Sequence, residues 1–165
     1  MGDSTIRELV YGKGAHADPV ACVEDIPAAL AARIVTGYPH CIWQAVDHMS
    51  YWMEYELQRI AGDRPHYPEH AIASWPAVPD PPDDARWQST RQRFGDLLAR
   101  FAVLADADAS TFEKAVLPDK PAGPASTVAA VVKQITSHNS YHVGQIALLR
   151  RMLDAWPPRR GGDSW

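Results

Sequence analysis

His138 and His142 stand four residues apart in SHNSYHVGQIALLRR, residues 137–151, within a segment whose apolar spacing is helical. Residues at that spacing project from one helix face about one turn apart, so both imidazoles can converge on one small cation. Neutral imidazole offers a nitrogen lone pair to zinc at roughly 2.0–2.1 Å, and it also suits nickel, iron or copper. The spacing alone is a weak motif, because a chain with seven histidines produces such pairs by chance. Position adds weight to it. Both histidines fall on the stripe Val131, Ile135, His138, His142, Gln145, Leu149, Met152 and Trp156. Imidazoles in a helical core are costly to bury unless each nitrogen finds a partner, and a metal is one such partner.

A third ligand must come from another element, and the other histidines are His16, His40, His48, His66 and His70. Only His48 lies within a long apolar helix. At 100° per residue it points about 120° away from Ile42 and Ile60, the centre of that helix's stripe. It shares a flank with Cys41, Ala45, Trp52 and Tyr55, so the buried arc is wide. Three histidines would leave a position open for water or substrate, which is the pattern of a catalytic rather than a structural site. Asn139 follows His138, so the HExxH arrangement with its glutamate base is excluded. No GxSxG, P-loop, GxGxxG or paired Glu-x-x-His element is present. The choice is a mononuclear three-histidine site or no site.

Gln145 follows His142 by three residues on the same stripe, where it orients a bound water or substrate or else fixes helix packing as a buried amide. Tyr141 and Asn139 lie off the stripe's centre and read as supporting residues. Trp43, Trp52, Trp75 and Trp87 read as core, His16 as a loop anchor, and Asp47 and Glu54 as solvated charges on a polar helix face.

The elements that must hold these residues are helical. Residues 3–10 read as a short helix with Asp3 or Ser4 as cap, and residues 20–34 as one or two more, with Pro27 in a first turn. Residues 40–62 carry Ile42, Val46, Met49, Met53, Leu57 and Ile60 at spacings of three and four, with Gly62 as the stop. The proline-rich stretch 63–84 reads as an extended surface connection. Asp83 or Asp84 opens a third long helix with the stripe Trp87, Thr90, Phe94, Leu97, Phe101 and Leu104. Ser126 or Thr127 opens the last one, which Pro157 stops. No convincing alternating strand is visible. The expectation is an all-α four-helix bundle, one domain over residues 1–157, with a frayed tail at 158–165.

Composition agrees with one globular domain: 165 residues, 46% hydrophobic and 22% charged. A net charge of -4 with interleaved signs offers no basic stripe for a phosphate backbone, so nucleic acid is not an expected partner. No apolar run approaches the roughly 20 residues a bilayer requires, and MGDSTIREL has no secretory pattern. A cytoplasmic protein with no membrane partner is expected. Cys22 and Cys41, the only cysteines, match no CxxC motif and read as buried thiols.

The segments DHMSYW and HNSYHVGQIALLRRMLDAW resemble the DinB/YfiT superfamily, with support from the AH of GKGAHADP, from GYPHCIWQAVDHM and from SWPAVPD. The resemblance implies a four-helix bundle with an open metal site formed by one histidine of the second helix and two of the last. On this chain those are His48, His138 and His142. It also implies a divalent ion, variously zinc, nickel or iron, and chemistry on a small-molecule substrate. That chemistry is either transfer or isomerisation dependent on a low-molecular-weight thiol, or hydrolysis. A homodimer is common in such proteins, and many have serine where this chain has Cys41. A metal-dependent hydrolase or thiol S-transferase is therefore the leading expectation. The alternative is a non-catalytic metal-binding or structural bundle, with a stress-related role.

Overall fold

The computed structural model describes residues 4–77, 83–118 and 123–160. Three long helices dominate: α4 (Ile42–Ala61), α5 (Asp84–Ala105) and α7 (Val128–Met152). The shorter α1 (Ser4–Val10) packs against α5 and α7, while α4 packs against α5 and α7, which gives the four-membered helical arrangement. Smaller turns α2 (Ala21–Glu24), α3 (Ala28–Ala31) and α6 (Ala109–Phe112) fill the connections. The fold is all-α. Strand structure among the described residues is confined to a two-residue antiparallel ladder, β1 (Ala115–Val116) with β2 (Ser126–Thr127), which pairs Ala115 with Thr127 and Val116 with Ser126. A ladder of two residues is too short to leave an alternating pattern in the sequence.

Local chemistry sets the helix ends. The Asp83 carboxylate accepts from the Arg86 amide at 2.7 Å, and the Thr127 hydroxyl accepts from the Ala130 amide at 3.2 Å. Gly62, at φ 98, closes α4 in the left-handed conformation, with the Gly62 and Asp63 amides donating to Arg59 and Gln58 carbonyls. At the start of α4 the Gln44 side chain accepts from the Cys41 amide at 3.0 Å and donates to the Pro76 carbonyl at 3.0 Å. One side chain thus caps the helix and holds the proline-rich connection against it. Asp3 lies outside the described residues.

The expected stripes of α4 and α5 form the core: Met49, Met53, Phe94 and Phe101 are fully buried against Val131, Ile146 and Leu149 of α7. Each such side chain contributes about 1.5–3 kcal/mol through burial. The expected α7 stripe is only partly the buried face: His138 and Gln145 are part-buried, Met152 is half-exposed at the helix end and Trp156 lies beyond it, while Asn139, Val143 and Ile146 are buried. Beside that end Arg150, 2% exposed, donates to the Cys22 carbonyl, the Asp25 carboxylate and the Ala155 carbonyl at 2.7–2.8 Å. The Arg150 guanidinium, with the Arg159 amide, holds the Asp25 carboxyl below its usual range against the opposing effect of burial. Beyond it the Arg159 amide donates to Asp25 and Arg160 pairs with Glu24. Residues 161–165 of the tail lie outside the described residues.

Asp47 and Glu54, though partly solvated, are paired rather than free surface charges. Arg93 of α5 donates to both Glu54 oxygens at 2.6 and 2.7 Å and to Asp47 at 2.9 Å, clamping α4 to α5. A partner about forty residues away leaves no trace in local patterning. Because all three side chains are partly solvated, Arg93→Met should cost only about 1 kcal/mol, and less at high salt. Urea unfolding at low and high ionic strength measures both effects. Among the described residues no helix is long and apolar enough to cross a membrane.

Candidate metal centre

His48 from α4 meets His138 and His142 from α7, one ring nitrogen of each lying within 4.8 Å of the other two. His48 Nε2 and His138 Nε2 are 3.2 Å apart. A tetrahedral ion with 2.0–2.1 Å bonds spaces its ligands by roughly 3.4 Å. One pair already has that spacing, and the widest must close by at most about 1.4 Å.

The far sides of the rings decide what the near sides can do. Ser74 donates its hydroxyl to the Ala71 carbonyl at 2.7 Å, so toward His48 Nδ1, 3.0 Å away, its oxygen can only accept. The Ser74 carbonyl, 3.2 Å from the same nitrogen, is likewise an acceptor. His48 therefore carries its proton on Nδ1 and presents a bare lone pair on Nε2. His142 Nδ1 donates to the Gln145 amide oxygen at 2.7 Å, and His138 Nδ1 to the Asn139 amide oxygen at 3.3 Å. The Asn139 nitrogen faces Met53 sulfur at 3.4 Å, which orients its oxygen toward the imidazole. Each Nδ1–H is committed to an oxygen, as in metal-ligating histidines, and each Nε2 is left as a lone pair. Two lone pairs facing at 3.2 Å repel unless a cation lies between them, so the donor set fits a metal.

Burial keeps these rings neutral. Desolvation pushes His48 down to about 3 and His142 down to about 4, with neighbouring imidazoles adding to the effect. His138 is lowered by the same cause. At neutral pH none needs to lose a proton to bind a cation.

The wall beside the histidines comes from the proline-rich connection. After a 3₁₀ turn at Ala71–Ser74, Trp75 lies flat between two imidazoles: 3.9 Å and 8° from His48, and 3.8 Å and 10° from His40. Its edge meets His142 at 5.5 Å. Tyr141 packs edge-on to His142 at 5.1 Å but is 65% exposed, at the rim. The other histidines stay out of the cluster. His16 Nδ1 donates to the Ala17 carbonyl in a loop turned by Gly12, and His66 and His70 are exposed.

A family model of the DinB superfamily matches residues 15–146, four-fifths of the chain. The chain belongs to the DinB superfamily. No curated protein and no solved structure matches it. In this DinB-superfamily chain the matched span contains His48, His138, His142 and Gln145. Sequence reasoning missed three neighbours of the cluster: Ser74, the stacking of Trp75, and His40. The signal available was SWP, a hydroxyl and an aromatic placed where prolines leave the chain little freedom.

Gln145→Leu keeps the volume of the side chain and removes the acceptor that fixes the His142 ring. Metal affinity should fall about 10- to 100-fold, with little change in the far-ultraviolet circular dichroism. Chelator competition on the purified variant measures it, and an unchanged affinity would reduce Gln145 to a packing residue.

Proposed function

We propose that this protein is a metal-dependent enzyme in which His48, His138 and His142 hold a divalent ion and act on a small molecule by hydrolysis or thiol-dependent transfer. The observation that carries this reading is the commitment of all three Nδ1–H groups to oxygen acceptors, with the three lone pairs turned inward. Nitrogen donors of this kind suit zinc, nickel or iron. No carboxylate or thiolate belongs to the cluster among the described residues, so the ligands leave the ion's double charge uncompensated. A bound ion of that charge lowers the pKa of a water or thiol and stabilises the resulting anion.

The chain's own residues supply the rest. Ser74, Asn139 and Gln145 hold the imidazole tautomers, and Trp75 shields one side of His48 from water. Three ligands from the protein leave room for an exogenous one, which separates this arrangement from a closed structural site.

Elemental analysis of protein purified without a metal-affinity tag should find one transition metal per chain. The loaded protein is then assayed with a panel of low-molecular-weight thiols plus electrophiles, and with esters and amides in the absence of thiol. Turnover that disappears with chelator and returns with metal supports the reading. Stoichiometric metal with no turnover in either panel leaves a non-catalytic metal-binding bundle instead.

A further inference from the structure

The described side chains that touch the three histidines carry no charge. Trp52 and Trp75 meet His48, Tyr141 and Gln145 meet His142, and Ser74 and Asn139 hold the far nitrogens of His48 and His138. Burial and neighbouring imidazole hold His138 and His142 below the usual histidine range, and no carboxylate, ammonium or guanidinium acts on either. A carboxylate carried by a substrate therefore meets no cationic side chain at this centre among the described residues.

The aromatic rings differ in what they leave open. Trp75 is taken up by the stacked imidazoles of His40 and His48, and Trp52 is packed among Tyr51, Tyr55 and Tyr67 at 5.4–5.8 Å. Tyr141 meets one ring among the described residues, that of His142, at 5.1 Å and 78°. At 65% exposed it leaves a ring face to solvent directly beside a metal ligand. It also heads a strip. At about 100° per residue, Tyr141, Gln145, Leu148 and Met152 lie within about 60° of one another on α7. Leu148 and Met152 are half-exposed, and Gln145, between Tyr141 and Leu148, is uncharged. An apolar surface that starts against the point where the reacting atom is fixed has the composition of a small-molecule site.

We propose, on the metal-dependent reading above, that Tyr141 is a specificity-determining residue and that the substrate carries an aromatic ring: the ring stacks on Tyr141 toward Leu148 while an adjoining donor atom reaches the ion. The recognition is by ring contact and buried area, with no ionic anchor from the protein. A short aliphatic substrate would leave Tyr141 and Leu148 in water. A cationic one would gain from the ring face but would stand close to a divalent ion of the same sign.

Phenylmethanethiol, 4-(mercaptomethyl)benzoate and ethanethiol are titrated anaerobically into cobalt-loaded protein and followed by the sulfur-to-cobalt charge-transfer band. Ethanethiol reports the ion alone. Phenylmethanethiol should bind at least tenfold more tightly than ethanethiol, and the benzoate no more tightly than phenylmethanethiol at low salt. Tyr141→Ala, at an exposed helix position, should weaken phenylmethanethiol at least fivefold and leave ethanethiol unchanged, while Tyr141→Phe should stay within twofold of the parent for both. Undiminished phenylmethanethiol binding in Tyr141→Ala, equal losses for both thiols, or a benzoate that binds more tightly than phenylmethanethiol would each overturn the proposal and leave the metal site standing. A parent that dimerises at the assay concentration beside a monomeric Tyr141→Ala would also overturn it, since a second copy would then occupy the strip. Cobalt that does not bind, or that binds and gives no band with any thiol, would overturn the metal-dependent reading and the proposal with it.

Discussion

His142→Ala and His48→Ala should each weaken metal binding about 100-fold or more, and each should lower the melting temperature of the metal-loaded protein far more than that of the metal-free protein. Zinc binding to small structural sites is worth roughly 10–16 kcal/mol at neutral pH. One of three ligands therefore carries about 3 kcal/mol or more, and 1.4 kcal/mol is a factor of ten. The metal-free protein behaves differently because its cluster is not a stabilising contact. His48 Nε2 and His138 Nε2 face each other at 3.2 Å with both partner nitrogens already donating their protons. Removing one imidazole from that arrangement leaves a small cavity but relieves the repulsion, so the two effects oppose one another. The decisive quantity is the difference between the loaded and metal-free melting shifts. If both forms lost the same stability, the histidines would be packing residues and the ligand assignment would fail. Leu149→Ala in the same core serves as the comparison, since its large-to-small cost of about 2–5 kcal/mol should not depend on metal.

The residues of the cluster were legible in the sequence for different reasons. His138 and His142 are a local feature: two imidazoles on an apolar stripe show in helical spacing alone. His48 is not, because its angle places it well off the stripe of its own helix, yet it is only 6% exposed. Its third wall is Ser74 and Trp75, from a segment that reads as a surface crossing because prolines exclude regular structure. Prolines exclude helix and ladder without excluding contact. Gln44 and Pro76, thirty-two residues apart, show how the crossing is pinned. Periodicity sees residues three and four apart and cannot see such a bond. The same blindness hid the Arg93 clamp on Asp47 and Glu54, while the stripes of α4 and α5, being local, matched the buried cores of those helices closely.

Acid should separate the stability of this fold from its affinity for metal. In the unfolded chain a histidine titrates near 6.5, whereas in the folded protein burial brings His48 to about 3 and His142 to about 4. Between those values the unfolded state binds protons that the folded state refuses, so stability rises with pH through this window. The contribution is complete above 6.5 and is lost as pH falls toward 4 and then 3. Over the first unit below 6.5 the two residues together should remove about 2 kcal/mol from the metal-free protein, and the loss should steepen below that. The Nε2 atoms of His48 and His142 stay unprotonated in the folded protein down to about pH 5, and burial lowers His138 in the same sense, so protons compete little for the ligating nitrogens. Metal affinity measured by chelator competition should therefore change less than about threefold between pH 7 and pH 5, once the chelator's own protonation is accounted for. Solvent-exposed histidines with ordinary pKa values would lose roughly 25-fold for each ligand over that drop. A flat affinity beside a falling urea midpoint is the signature of imidazoles held neutral by burial. An affinity that collapsed in step with exposed imidazole would mean that water reaches the cluster freely, and Trp75 would then not be the shield its stacking on His48 indicates.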